Sequence, residues 1–152
     1  MIPIPSSGNC QCGEIAYELT ASPFVQYTCH CTECQKLTSS AFSLCMQVPA
    51  ESLSMTKGQA TSRERKTDSG NRLTTWFCGR CGSALFAQNS ARPKLRTIFA
   101  GTLAHASEVE VDAHIWLRSK LPWLQVPEGH RRFDQAGDWL QDYQHALDRL
   151  EP

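Results

Sequence analysis

Apolar and polar residues alternate with a period of two in several stretches of the chain, which is the signature of strands with one buried face. Over residues 13–19 the set Ile15, Tyr17 and Leu19 falls on one side, and over 41–48 so do Phe42, Leu44, Met46 and Val48. Further β-type segments are 24–28, 60–66, 72–77, 83–88, 95–100 and 109–116, separated by turns containing Pro, Gly or Asn. Near the end the period changes. Trp139, Leu140, Tyr143, Leu147 and Leu150 recur at helical spacing, and Asp138 stands three residues before Gln141 as in a capping box, which predicts an amphipathic helix over 138–150. The pattern predicts a mainly β protein with a C-terminal helix.

Pro49, Pro122 and Pro127 punctuate the chain without any stretch long or polar enough to be a linker, so residues 1–152 read as one domain with a core over about 6–134. A chain of 152 residues buries roughly two-thirds of its unfolded surface, enough for a core without disulfide staples. Hydrophobic residues make up 41% and charged residues 20%, which excludes the disordered and fibrous classes. Fifteen Lys and Arg balance fifteen Asp and Glu, against the broad basic footprint of a nucleic-acid binder. The first residues, Met1 to Gly8, have neither a basic region nor an apolar core, and no apolar run approaches the length of a membrane span. The expected setting is therefore cytoplasmic, with reduced thiols and no membrane partner.

That setting changes how the eight Cys are read. Seven fall in three groups: Cys10-Gln11-Cys12, Cys29-His30-Cys31-Thr32-Glu33-Cys34 and Cys78-Gly79-Arg80-Cys81, while Cys45 stands alone. A Cys-x-x-Cys followed by Gly82 suits a tight turn that points two thiolates at one tetrahedral ion. The same spacing serves thiol redox motifs, but those stand between a strand and a helix, whereas Trp76-Phe77 and Ala84-Leu85-Phe86 flank this one with strands. Counting thiolates leaves two partitions. In one, Cys10, Cys12, Cys78 and Cys81 close a four-thiolate site and Cys29, Cys31 and Cys34 hold a second ion with one position open. In the other, Cys31 and Cys34 pair with Cys78 and Cys81 as in a zinc ribbon. The first uses all seven and is preferred. With seven ionised Cys on two Zn²⁺ the folded protein turns mildly acidic.

The patterns Gly8-x-Cys10-x-Cys12-Gly13-x-Ile15-x-Tyr17, Cys29-His30-Cys31-x-x-Cys34-Gln35-Lys36 and Phe77-Cys78-x-x-Cys81-Gly82-Ser83 resemble the glutathione-dependent formaldehyde-activating family, which includes centromere protein V. Gly101-Thr102-Leu103, His114-Ile115-Trp116, Lys120 and Trp123 follow that family's later pattern in the same order, whereas residues 127–133 depart from it. The resemblance implies a small zinc-pinned antiparallel fold called the β-tent. It also implies a structural zinc on Cys10, Cys12, Cys78 and Cys81 and a catalytic zinc on Cys29, Cys31 and Cys34.

The implied activity is that of a carbon–sulfur lyase, interconverting S-hydroxymethylglutathione with glutathione and formaldehyde. The rival readings are a non-catalytic zinc module and a glutathione carrier, for which a fourth ligand such as Cys45 or a His would close the second site. Cys45 is expected to be a small buried residue beside Ala41 and Ser43, and His30, flanked by two ligands, to point away from the metal. His114 reads equally as a core or a functional residue, and His105, His130 and His145 as surface residues. Gln35, Lys36, Arg80, Arg118 and Lys120 are candidates for holding a carboxylate of the thiol, and Glu33 for orienting a proton.

Overall fold

The computed structural model describes residues 1–136 together with Trp139, Gln141 and Asp148. The helix expected over 138–150 lies outside the described residues, apart from those three positions. Eleven strands are present among the described residues, and every strand expected from the alternation appears. They are β1 (Ser6–Asn9), β2 (Ala16–Leu19), β3 (Val25–Cys29), β4 (Ser43–Pro49), β5 (Leu53–Lys57), β6 (Thr61–Lys66), β7 (Arg72–Phe77), β8 (Ala84–Asn89), β9 (Leu95–Phe99), β10 (Ala113–Ile115) and β11 (Arg131–Arg132). Three of them, β1, β5 and β11, escape the alternation rule because their residues are small, exposed or too few. The strand expected over 109–116 contracts to the three residues of β10. One α-helix, α1 (Thr32–Thr38), is found among the described residues, and the sequence did not predict it.

The fold is mainly β, and its sheets are built largely from antiparallel pairs. A three-stranded sheet in the order β1-β2-β5 stands beside an eight-stranded sheet in the order β11-β10-β3-β4-β9-β8-β7-β6. The exceptions to antiparallel pairing are at one edge, where β10 runs parallel to both β3 and β11.

Strand β4 shows why two cores form. It lies between β3 and β9, and its successive side chains point to opposite faces of the large sheet. Met46 and Val48, with the partly buried Leu44, pack with Tyr17, Leu19, Leu85 and Ile98 between the two sheets. Cys45 enters the second core, with Val25, Tyr27, Cys29, Leu95, Phe99, Ile115 and Trp139 on the other face. Trp139 caps that face, its ring 4.5 Å from that of Tyr27. The small residues of β1 serve close approach. A Cβ on Gly8 would overlap the Tyr17 ring, whose hydroxyl shares a 2.7 Å hydrogen bond with that of Thr102.

Candidate metal centres

Both cysteine groups are organised by backbone turns at strand ends. Cys10 follows β1, and Gly13, at φ 72°, lets the chain turn so that its N–H donates to the Cys10 carbonyl at 3.0 Å. The turn after β7 repeats this device, with Gly82 at φ 78° donating to the Cys78 carbonyl at 2.8 Å. The Sγ atoms of Cys10, Cys12, Cys78 and Cys81 all come within 4.8 Å of one another. Adjacent pairs are 3.6 Å apart for Cys10 and Cys12 and 3.8 Å for Cys12 and Cys78. Four sulfurs held tetrahedrally at about 2.3 Å from one ion would be separated by about 3.8 Å, so the donor set fits a zinc ion.

Donors from the chain back this cluster. The Ile15 N–H points at Cys10 Sγ at 3.3 Å, and the Ser83 hydroxyl lies 3.2 Å from Cys81 Sγ. The Ser83 hydroxyl and N–H hold the Cys81 thiol down to about 5.

Cys29, Cys31 and Cys34 form the second group, again with all Sγ atoms within 4.8 Å. Cys29 ends β3, Cys31 is the N-cap of α1, and Cys34 lies in its first turn, so the Cys31–Cys34 spacing is that of a capped helix start. The Cys31 sulfur accepts from the Cys34 N–H at 3.3 Å, in the way a Ser or Asp cap does. Cys31 and Cys34 thus join Cys29 and not Cys78 and Cys81. Cys29 is buried whereas Cys31 and Cys34 are partly exposed, so the group opens towards solvent.

Three thiols this close cannot all carry charge unaided. Contacts from Cys29 and Cys34 hold the Cys31 thiol down at about 2, and the same proximity pushes Cys29 far above its ordinary value. The protein alone stabilises one thiolate here and resists a second, because like charges at this distance repel. A divalent cation relieves that repulsion, so three thiolates fit a metal ion.

No fourth His, Cys, Asp or Glu joins the three among the described residues. Cys45 is buried with its sulfur 3.2 Å from the Ser43 hydroxyl, as expected of a small core residue, and burial raises its thiol pKa. His30 is buried, and it heads a chain of polar contacts that the sequence did not reveal. Its Nε2 lies 2.9 Å from Thr28 Oγ1, which lies 2.6 Å from His114 Nδ1, and His114 Nε2 lies 2.9 Å from His130 Nδ1. His130 is therefore half-buried and partnered, contrary to the surface position expected for it; His105 is exposed. Burial, with His30, His130 and Arg132 nearby, lowers His114 to about 4.

The candidate carboxylate holders are mostly engaged elsewhere. Arg80 pairs with Glu14 at 3.3 Å and Lys36 with Glu33 at 3.2 Å, both on the surface. The Lys120 ammonium donates to the carbonyls of Leu121 and Leu124 at 3.0 and 2.6 Å. Gln35 spends both amide hydrogens on main-chain carbonyls, those of His30 and Ser119, each at 2.9 Å. Among the five only Arg118 is exposed without an ion pair among the described residues.

The two clusters thus attach to opposite faces of the large sheet, one in each core. No helix among the described residues is long and apolar enough to cross a membrane. The fold itself is seen elsewhere. A crystal structure of a Rhodobacter sphaeroides protein superposes with a TM-score of 0.53 at 17% identity, covering 84% of this chain and 98% of that one. A Halomonas elongata protein, provisionally named a glutathione-dependent formaldehyde-activating enzyme, is 25% identical over 126 residues, which are 78% of this chain and 79% of the relative. The sequence profile of the glutathione-dependent formaldehyde-activating enzyme family matches residues 5–119. With three-quarters of its length inside that match and both cysteine groups assembled, the chain belongs to the glutathione-dependent formaldehyde-activating family.

Proposed function

We propose that this protein is a zinc-dependent carbon–sulfur lyase that interconverts S-hydroxymethylglutathione with glutathione and formaldehyde. Cys10, Cys12, Cys78 and Cys81 hold a structural zinc, and Cys29, Cys31 and Cys34 hold the catalytic one. The observation that carries this reading is the difference between the clusters: four thiolates complete a tetrahedral shell, whereas three, with no fourth His, Cys or carboxylate beside them among the described residues, leave a position for substrate. Zinc held by three thiolates has net charge −1, which makes it a weak activator of water and a good acceptor of a further soft thiolate.

The chain's own part is to hold and orient. The Cys34 N–H fixes the Cys31 sulfur at the mouth of α1, and the His30 N–H donates to the Ile115 carbonyl at 3.0 Å, which anchors the ligand loop to β10. Addition forms one carbon–sulfur bond while the carbonyl π pair moves to oxygen, and the proton that left the thiol ends on that oxygen. Cleavage is the reverse. Holding the thiol sulfur beside the aldehyde turns a bimolecular encounter into one within a single complex.

Glutathione and S-methylglutathione carry the same peptide, and only the first has an ionisable thiol. Calorimetry of the zinc-loaded protein should show glutathione binding far more tightly. It should also show release of about one proton at pH 7, read from two buffers of different ionisation enthalpy, since a free thiol has a pKa of about 8.5. Equal binding of the two peptides, or no proton release, would refute the assignment of the three-cysteine centre to the thiol.

A further inference from the structure

Residues 118–132 leave β10 and return to it. The Leu117 N–H donates to the Phe133 carbonyl at 3.1 Å and the Arg118 N–H to the Asp134 carbonyl at 3.2 Å, so the two ends of the segment lie together. The segment is braced by its own side chains: Lys120 holds the carbonyls of Leu121 and Leu124, and Arg132 holds that of Val126 at 2.6 Å. A surface loop with joined ends and internal packing is a compact unit that moves or stays as a whole. It carries Arg118, Lys120, Arg131 and Arg132 against one carboxylate, Glu128, in a chain whose formal charge sums to zero. Trp123 projects from it, 71% exposed.

Gln35 joins this loop to the three-cysteine centre. It follows Cys34 directly in α1, and its carboxamide bridges the carbonyl of His30, between Cys29 and Cys31, and that of Ser119 at the start of the loop. Two carbonyl acceptors demand the NH₂ face of the amide, so the orientation of Gln35 follows from chemistry. Trp116, which leads into the loop, packs on the same core as Cys31 and Cys34 and adopts a left-handed backbone at φ 61°. A bulky residue pays a steric cost there, and surrounding contacts must hold it in place.

We propose that Gln35 is a positioning residue that fixes the cationic segment 118–132 against the three-cysteine centre, so that the segment receives the carboxylates of a thiol seated there. This rests on the thiol-binding function proposed above. It divides recognition between two elements. The ion that the three cysteines would hold takes the sulfur, and the loop takes the charged arms, so a thiol with carboxylates is selected over a bare one.

Two variants test the bridge. Gln35→Glu keeps the shape and sets a carboxylate against two carbonyls; Gln35→Ala removes the donors without adding charge and serves if the first does not fold. Both should keep the metal content of the parent. In calorimetry, glutathione should bind about tenfold or more weaker than to the parent, while 2-mercaptoethanol, which has no carboxylate, should change by less than about twofold. Equal weakening of both thiols, or of neither, would overturn the proposal. Amide hydrogen exchange gives a second readout that needs no thiol: residues 118–132 should exchange faster in either variant. Unchanged exchange there overturns the coupling itself. If the parent binds neither thiol, the fault lies in the proposed function, and faster exchange in the variants still supports the bridge.

Discussion

Replacing one sulfur in each cluster should have unequal consequences, and the structure sets the size of the difference. Cys12 and Cys78 are 66 residues apart in sequence, so an ion shared by the first cluster closes a long loop and ties the three-stranded sheet to the β7–β8 turn. Cys29, Cys31 and Cys34 span only one strand end and one helix start, so an ion there closes almost nothing. By the logarithmic dependence of loop closure on length, the longer loop contributes about 2 kcal/mol more. Structural zinc binding is itself worth on the order of 10 kcal/mol, comparable to the whole stability of an ordinary domain. Cys78→Ser should therefore lose most cooperative unfolding, whereas Cys31→Ser should lose one metal ion and keep a sharp transition. The closure difference alone corresponds to at least about 4–8 °C in melting temperature for a chain of this size. Thermal unfolding by circular dichroism, alongside metal analysis of each variant, measures it. A Cys31→Ser protein that melts as low as Cys78→Ser would show that both centres are structural, and the functional proposal would fall with it.

Two further outcomes follow from packing and titration. Gly8→Ala should destabilise the fold by about 1–3 kcal/mol in denaturant unfolding, because the added methyl overlaps the buried Tyr17 ring; a change under about 0.5 kcal/mol would mean that the ring yields freely. His114, held neutral by burial and its cationic neighbours, has a folded pKa of about 4 against an ordinary 6.5. Its contribution is full above pH 6.5 and is lost as pH falls through 4, about 3 kcal/mol over that window. Stability measured from pH 7 to 4 should fall less steeply in His114→Asn than in the parent, and parallel slopes would refute the shift.

The sequence by itself determined the class of the fold and the grouping of its chemistry. Alternation revealed the strands that bury one face, because a period of two is a local property of side chains on a pleated backbone. Cysteine spacing, read with an expected reduced setting, grouped seven thiols as candidate metal ligands. It also left open which pairs meet, because pairing across 66 residues depends on how two sheets stack and not on local pattern. The tertiary structure decided that Cys10 and Cys12 meet Cys78 and Cys81.

Local rules failed elsewhere for similar reasons. The start of α1 went unpredicted because Cys is an uncommon N-cap, and the cap is recognisable only once Cys31 Sγ is seen accepting from Cys34 N–H. Strand β1 was missed because its buried residues are Ser6 and Gly8, small enough to admit Tyr17, which approaches from a neighbouring strand. His130 read as a surface residue because its partner, His114, comes from a strand 16 residues earlier that β11 pairs with in parallel. Gln35 read as a candidate carboxylate holder for want of any sign that Ser119 would lie beside it. What a residue prefers is written in its neighbours along the chain; what it touches is decided by elements that only the folded sheet brings together.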